Sequence, residues 1–153
     1  MNFDRYTIKS QEALQKSGAI ASQMEQQAIE PGHLLKGIMQ TDESITSFLI
    51  KKLNINKAVM DQKLEEILVA YPKVSGQQPY LSNDSAAALQ KAEKYLTEFG
   101  DEYIALEHIL LGIRDGKEKT ASLLKDLGFG KKELIAACAR KGPGAAEKVP
   151  LDV

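Results

Sequence analysis

Few side chains in this sequence have the chemistry of a reaction. His33 and His108 are able to ligate a metal or move a proton, Cys138 to act as a nucleophile, and Asp101 and Glu107 to pair as acid and base. Their spacing argues against each of these uses. A zinc site needs further ligands at fixed intervals, and neither histidine has a Cys, Asp or second His three or four residues later, so no metal is expected. No G-x-S-x-G turn and no partnered Cys and His accompany the carboxylates. Glu107 and His108 are neighbours on a helix, so they point about 100° apart and do not converge on one substrate. The run Gly128-Phe129-Gly130-Lys131-Lys132 lacks the spacing of a phosphate-binding loop and reads as a helix-terminal glycine leading into the next helix. Cys138 falls on an apolar helix face and reads as a small core residue. No cofactor and no enzymatic activity are expected of this chain.

The elements that must position these residues occur twice. A shift of 75 places Ala13-Leu14-Gln15-Lys16 on Ala88-Leu89-Gln90-Lys91 and, without a gap, Ile29, His33, Leu35, Gly37 and Ile38 on Ile104, His108, Leu110, Gly112 and Ile113. After one deleted residue, a shift of 74 aligns Leu49, Lys51 and Leu53 with Leu123, Lys125 and Leu127. Each copy reads as four helices. Thr7 caps a first helix with a stripe of Leu14, Ser17, Ile20, Ala21 and Met24, and Ser82 caps its counterpart with Leu89, Ala92, Tyr95, Leu96 and Phe99. Pro31 opens a second helix, Asp42-Glu43-Ser44 a third, and Asn56 a fourth with Val59, Met60, Leu64 and Ile67, matched in the second copy by Leu134, Ile135 and Cys138. No stretch alternates long enough for a strand, so the fold class is all-α: eight helices as two pseudo-twofold repeats. The expected boundaries are repeat one at about 1–70, a turn-rich connection at 71–81, repeat two at 82–141, and a flexible tail or linker at 142–153. The connection, with apolar Tyr71, Val74 and Tyr80, is suited to lie along the surface as an ordered strap.

Duplication also separates structural from functional candidates, because positions shared by both copies serve the common fold. His33 and His108 are equivalent and read as packed, hydrogen-bonded imidazoles. Gly37 and Gly112 lie inside helices, where glycine costs about 1 kcal/mol relative to alanine, and a close helix crossing compensates. The copies differ where the second has Gly100-Asp101-Glu102-Tyr103 for Glu25-Gln26-Gln27-Ala28, and Glu107 for Gly32. Two carboxylates and a tyrosine thus gather at the entry to the sixth helix. For Glu107 the structural alternative is an anion favoured by a helix N-terminus.

Composition limits the partners. Of 153 residues, 20 are Lys or Arg and 21 Asp or Glu; 9 basic and 9 acidic residues precede position 76, with 11 and 12 after it. Neither half has the basic footprint that a nucleic-acid backbone requires. Apolar runs are far short of the roughly 20 residues of a membrane span, and with a single cysteine no intramolecular disulfide forms, so a cytoplasmic protein is expected.

The openings Thr7-Ile8-Lys9-Ser10-Gln11-Glu12-Ala13 and Ile29-Glu30-Pro31-Gly32-His33-Leu34-Leu35, with Gly100-Asp101 and Glu107-His108-Ile109-Leu110-Leu111-Gly112, resemble the Clp amino-terminal domain. Tyr71-Pro72-Lys73-Val74-Ser75-Gly76 looks most like the ClpB branch, the ATP-driven disaggregases. The resemblance covers residues 1 to about 141. It implies a module on a flexible linker above a hexameric AAA+ ring, capturing unfolded or aggregated polypeptide and in some branches docking adaptors. ATP hydrolysis would belong to ring domains that this chain lacks. Polar positions that matter in the family match Thr7, Asp101 and Glu107 here. The family's apolar groove between the repeats points to Tyr95, Tyr103 and Leu96, with an ordinary core stripe as the alternative for Leu96. The alternative function is an adaptor-docking domain of a Clp protease ATPase. This sequence departs from some relatives in placing the polar His108 after Glu107.

Overall fold

The computed structural model describes residues 4–74 and 78–134, so the expectations for Ile135, Cys138 and the 142–153 tail lie outside the described residues. Helix α1 spans Ile8–Gln23, α2 Pro31–Thr41, α3 Glu43–Lys52 and α4 Lys57–Ala70; α5 spans Asn83–Phe99, α6 Leu106–Arg114 and α7 Lys119–Asp126. Residues 131–134 open an eighth helix. The expected caps are in place. The side chains of Thr7, Asp42, Asn56 and Ser82 accept backbone N–H groups of the first turns of α1, α3, α4 and α5.

The buried face of α1 is rotated from the expected stripe. Ser10, Ala13, Ser17, Ile20 and Ala21 are buried, while Leu14 and Met24 are half-buried against the core. The reason is close approach: a Cβ on Gly37 would lie 2.5 Å from Ser17 Oγ and 2.6 Å from the Ala13 carbonyl oxygen, so α2 needs the small residues of α1 beneath it. The equivalent crossing is tighter still, since a Cβ on Gly112 would lie 2.0 Å from the Ala88 carbonyl oxygen of α5. Both helical glycines therefore make the crossing anticipated for them. On α4, Val59 is 39% exposed, and the core side is carried by Met60, Leu64 and Leu68.

Pairing between the repeats is more extended than the all-helical expectation. Strand β1 (Ala28–Ile29) runs parallel to β2 (Tyr80–Leu81), with Ala28 opposite Tyr80 and Ile29 opposite Leu81. A parallel bridge joins Tyr6 to Ile104 in the same way. Subtracting the shift of 75 shows that these are one contact repeated: the segment before the first helix of each copy pairs with the segment before the second helix of the other. Thr7 N–H donates to the Ile104 carbonyl (3.0 Å) as Ser82 N–H does to that of Ile29 (3.1 Å). Such short strands escape a period-two search, which needs several alternations. The described parts of the connection are tied down, with Val74 N–H donating to Glu25 and Tyr80 N–H to Gln27.

Candidate functional site

The entry to α6 is built on an imidazole. His108 Nδ1 accepts the Ala105 N–H at 2.8 Å, which leaves the proton on Nε2, and Nε2 donates to Asp101 Oδ2 at 2.9 Å. The same construction stands in repeat one. His33 Nδ1 accepts the Glu30 N–H at 2.9 Å and Nε2 donates to Gln26 Oε1 at 2.7 Å. Both histidines are fully buried, and burial pushes His33 down to about 4. Asp101 and His108 do converge, but an imidazole with both nitrogens engaged and no surface cannot serve as a general base.

The copies differ at the outer end of this clamp. Gln26 is 2% exposed, and its amide nitrogen donates onward to the Leu68 carbonyl at 2.6 Å. Asp101 keeps 18% of its side chain exposed. It follows Gly100, whose φ of 72° ends α5 in the left-handed conformation that glycine adopts without strain. Against His108 lies the ring of Phe99, at 5.5 Å between centroids, and against Phe99 lies Tyr95, at 5.6 Å. Half-buried Tyr95 and Phe99, one helical turn apart on α5, thus form an aromatic run that leads through His108 to a carboxylate.

The six residues expected at the site divide by exposure. Asp101, Tyr103 and Tyr95 reach the surface, Tyr103 being half-buried. Thr7 is fully buried as the α1 cap and equivalent to Ser82, which makes it part of the common fold; it offers no surface to a ligand. Leu96 is 1% exposed and belongs to the core, because α5 turns Leu89, Ala92 and Leu96 onto α6 and leaves Tyr95 at the edge. Glu107 is also fully buried, in the first turn of α6, and its carboxylate is engaged within the fold. None of these three presents side-chain surface in the fold. The spacing of Phe99 alone gives a core residue; its position four residues after Tyr95 is the sequence signal for the aromatic run.

Tyr95 is also a staple. Its hydroxyl donates to Asp115 Oδ2, Lys91 Nζ donates to the Asp115 carbonyl at 2.8 Å, and Lys131 stands 5.7 Å over its ring while pairing with Glu98 at 2.6 Å. Burial, helped by Asp115, pushes the phenol up to about 12. A depression of about 540 Å³ here is lined by Lys91, Lys94, Tyr95, Glu98 and Asp115. At the seam between the repeats a smaller depression of about 190 Å³, beside Pro31, Ala88 and Ile113, contains none of the six expected residues.

A model of the Clp repeat N-terminal domain matches residues 5–127. The chain belongs to that family. Within it, the chain is 45% identical over 144 residues to a chaperone protein ClpB of Bacteroides thetaiotaomicron and 42% identical to one of Porphyromonas gingivalis. Each match covers 93% of this chain and 17% of the relative, so this Clp N-terminal domain spans about a sixth of those proteins. The Hsp104 N-terminal domain of Candida albicans shares the fold at a TM-score of 0.76 and 20% identity, over 91% of this chain and 93% of that one. The N-terminal domain of ClpD from Arabidopsis thaliana does so at 0.68 and 24%, over 92% and 96%. Among the described residues of this ClpB-like domain, no helix is long and apolar enough to cross a membrane.

Proposed function

We propose that the domain captures exposed apolar segments of unfolded or aggregated polypeptides and passes them to the AAA+ ring of a ClpB-type disaggregase. The observation that carries this reading is the half-exposed aromatic run Tyr95–Phe99, ending at His108 and Asp101. Rings that are apolar on their faces and polar at one edge suit loosely specified, partly solvated contacts. The 45% identity to a chaperone protein ClpB supports the same context. A patch of a few side chains gives affinities in about the micromolar to millimolar range, and six copies on one ring would add avidity. Glu107 and Thr7 would support the surface from below. Titration of the labelled domain with a permanently unfolded client should shift amide signals around Tyr95, Phe99, Asp101 and Tyr103; shifts confined elsewhere would remove this assignment.

The docking of a folded adaptor is favoured by a different feature. A cleft of about 560 Å³ between α2, α3 and α4 is lined by Lys36, Lys57, Asp61 and Glu65 around Met39 and Leu64. Its charges suit a folded, complementary partner better than an apolar segment. Client-induced shifts at Lys36, Met39 and Asp61 in place of Phe99 would select that reading.

A further inference from the structure

We infer that the outer edge of β2 takes up an extended segment of a non-native polypeptide as a third strand, recognised through its backbone and not through its sequence. This edge is separate from the Tyr95–Phe99 run, because α5 sets the two about 18 Å apart, twelve residues at about 1.5 Å each. Strand β1 occupies only the inner edge of β2. Tyr80 N–H donates to the Gln27 carbonyl at 3.1 Å and Ser82 N–H to the Ile29 carbonyl at 3.1 Å. Alternation along the strand turns the N–H and the carbonyl of Leu81 the other way, and among the described residues neither has a hydrogen-bond partner. The duplication supplies a built-in comparison. By the shift of 75, Tyr6 is the counterpart of Leu81, paired with Ile104 as Leu81 is with Ile29. There the outward carbonyl is closed: Gln11 Nε2 donates to it at 3.0 Å, and Tyr6 is only 5% exposed. Ala86 stands in the place of Gln11 on α5 and has no donor to reach back. Edge strands are ordinarily covered or blocked; here one copy of the pairing is blocked and the other is open.

The chemistry of the open edge names its occupant. An N–H and a carbonyl offered by one residue match those of another backbone, since in antiparallel pairing the residue opposite exchanges both bonds. The exposed Pro79 adds a carbonyl two residues earlier but no N–H, so the ladder ends there. Leu81 packs against the core, which puts Tyr80, 54% exposed, on the opposite face, where its ring meets a side chain of the added strand. An edge of two residues buries far too little to hold two copies of the domain together. It suits a chain that is already extended and brings unpaired peptide groups of its own.

The test titrates the isotope-labelled domain with a short peptide of alternating Val and Thr, flanked by lysines, and with its twin methylated on every Val and Thr backbone nitrogen. The unmethylated peptide is expected to shift the Leu81 amide proton, to slow its hydrogen exchange, and to bind about ten-fold more tightly than the twin, a difference of one or two net hydrogen bonds. Ala86→Gln rebuilds the block that Gln11 makes at Tyr6 and should weaken binding about five-fold with helicity intact. Ala86→Met, of similar length but without a donor, should bind as wild type does. A Leu81 amide that the peptide leaves unmoved, equal binding of the methylated twin, unchanged binding in Ala86→Gln, or an equal loss in Ala86→Met would each overturn strand addition at this edge. A Leu81 shift that follows domain concentration without peptide would make the occupant a second copy and overturn it as well. Peptide shifts at Tyr95 and Asp101 with Leu81 unmoved would overturn the edge and leave capture in place, whereas shifts at Leu81 alone would remove the Tyr95–Phe99 assignment and support the edge.

Discussion

At the scale of single residues, buried polar groups decide what the surface can offer. His33 stays neutral in the fold down to about 4, below its ordinary 6.5, because burial penalises its charged form. The unfolded chain takes up that proton below about 6.5 and the native chain does not, so this residue costs stability as pH falls towards 4 and nothing above neutrality. The contribution is a slope of about 1.4 kcal/mol per pH unit. Denaturant unfolding at pH 7.5 and pH 5 should show a smaller pH effect in His33→Gln than in wild type, and equal slopes would remove this account. Glu107 makes the second case. Its full burial and engagement predict that Glu107→Ala costs about 1–3 kcal/mol, read as a lower melting temperature. A melting temperature unchanged within a degree, with weakened client binding, would instead return Glu107 to direct contact.

At the scale of elements, glycines set how closely the helices approach, and two of them make opposite demands. Gly112 lacks room, since its Cβ would meet the Ala88 backbone at 2.0 Å, and Gly112→Ala should cost about 3 kcal/mol by forcing α5 and α6 apart. Gly100 has room, with no atom within 4 Å of its Cβ, and a φ of 72°. Gly100→Ala should therefore cost only the left-handed conformation, about 1 kcal/mol. Chemical denaturation of the two variants checks the order. Repeat one already tolerates a side chain at the place equivalent to Gly100, where Glu25 holds a φ of 57°.

At the scale of the molecule, the two copies are one fold because each completes the other. Besides the swapped strand pairings, Tyr71, at the start of the connection, ties the two repeats together. Its hydroxyl donates to Glu118 Oε2 at 2.6 Å and accepts the Gly32 N–H at 3.2 Å, while Glu118 Oε1 caps α7 through Thr120 N–H. Its ring lies 5.2 Å from that of His33, so the clamp of repeat one and the seam are continuous. Burial and Glu118 together push the phenol far above its usual range. Tyr71→Phe should cost about 1–3 kcal/mol and speed hydrogen exchange at Gly32, because a buried N–H and a carboxylate lose their partner together. Unchanged exchange at Gly32 would show that the seam is held by packing alone.

The duplication, the helix order and the caps at Thr7, Asp42, Asn56 and Ser82 are legible in the amino-acid sequence, because periodicity, cap residues and internal identity are local or self-referential signals, whereas the Glu118 cap of α7 and the histidine contacts at the starts of α2 and α6 are not. The equivalence of Thr7 with Ser82 and of His33 with His108 was readable in the same way. What the sequence could not settle is which of its singled-out polar residues meet solvent. Thr7 and Glu107 are buried, and Asp101 keeps 18% of its side chain exposed. Burial depends on partners distant in the chain: the Gln26 clamp is closed by the Leu68 carbonyl 42 residues away, a contact that exists only once α4 is packed in the fold.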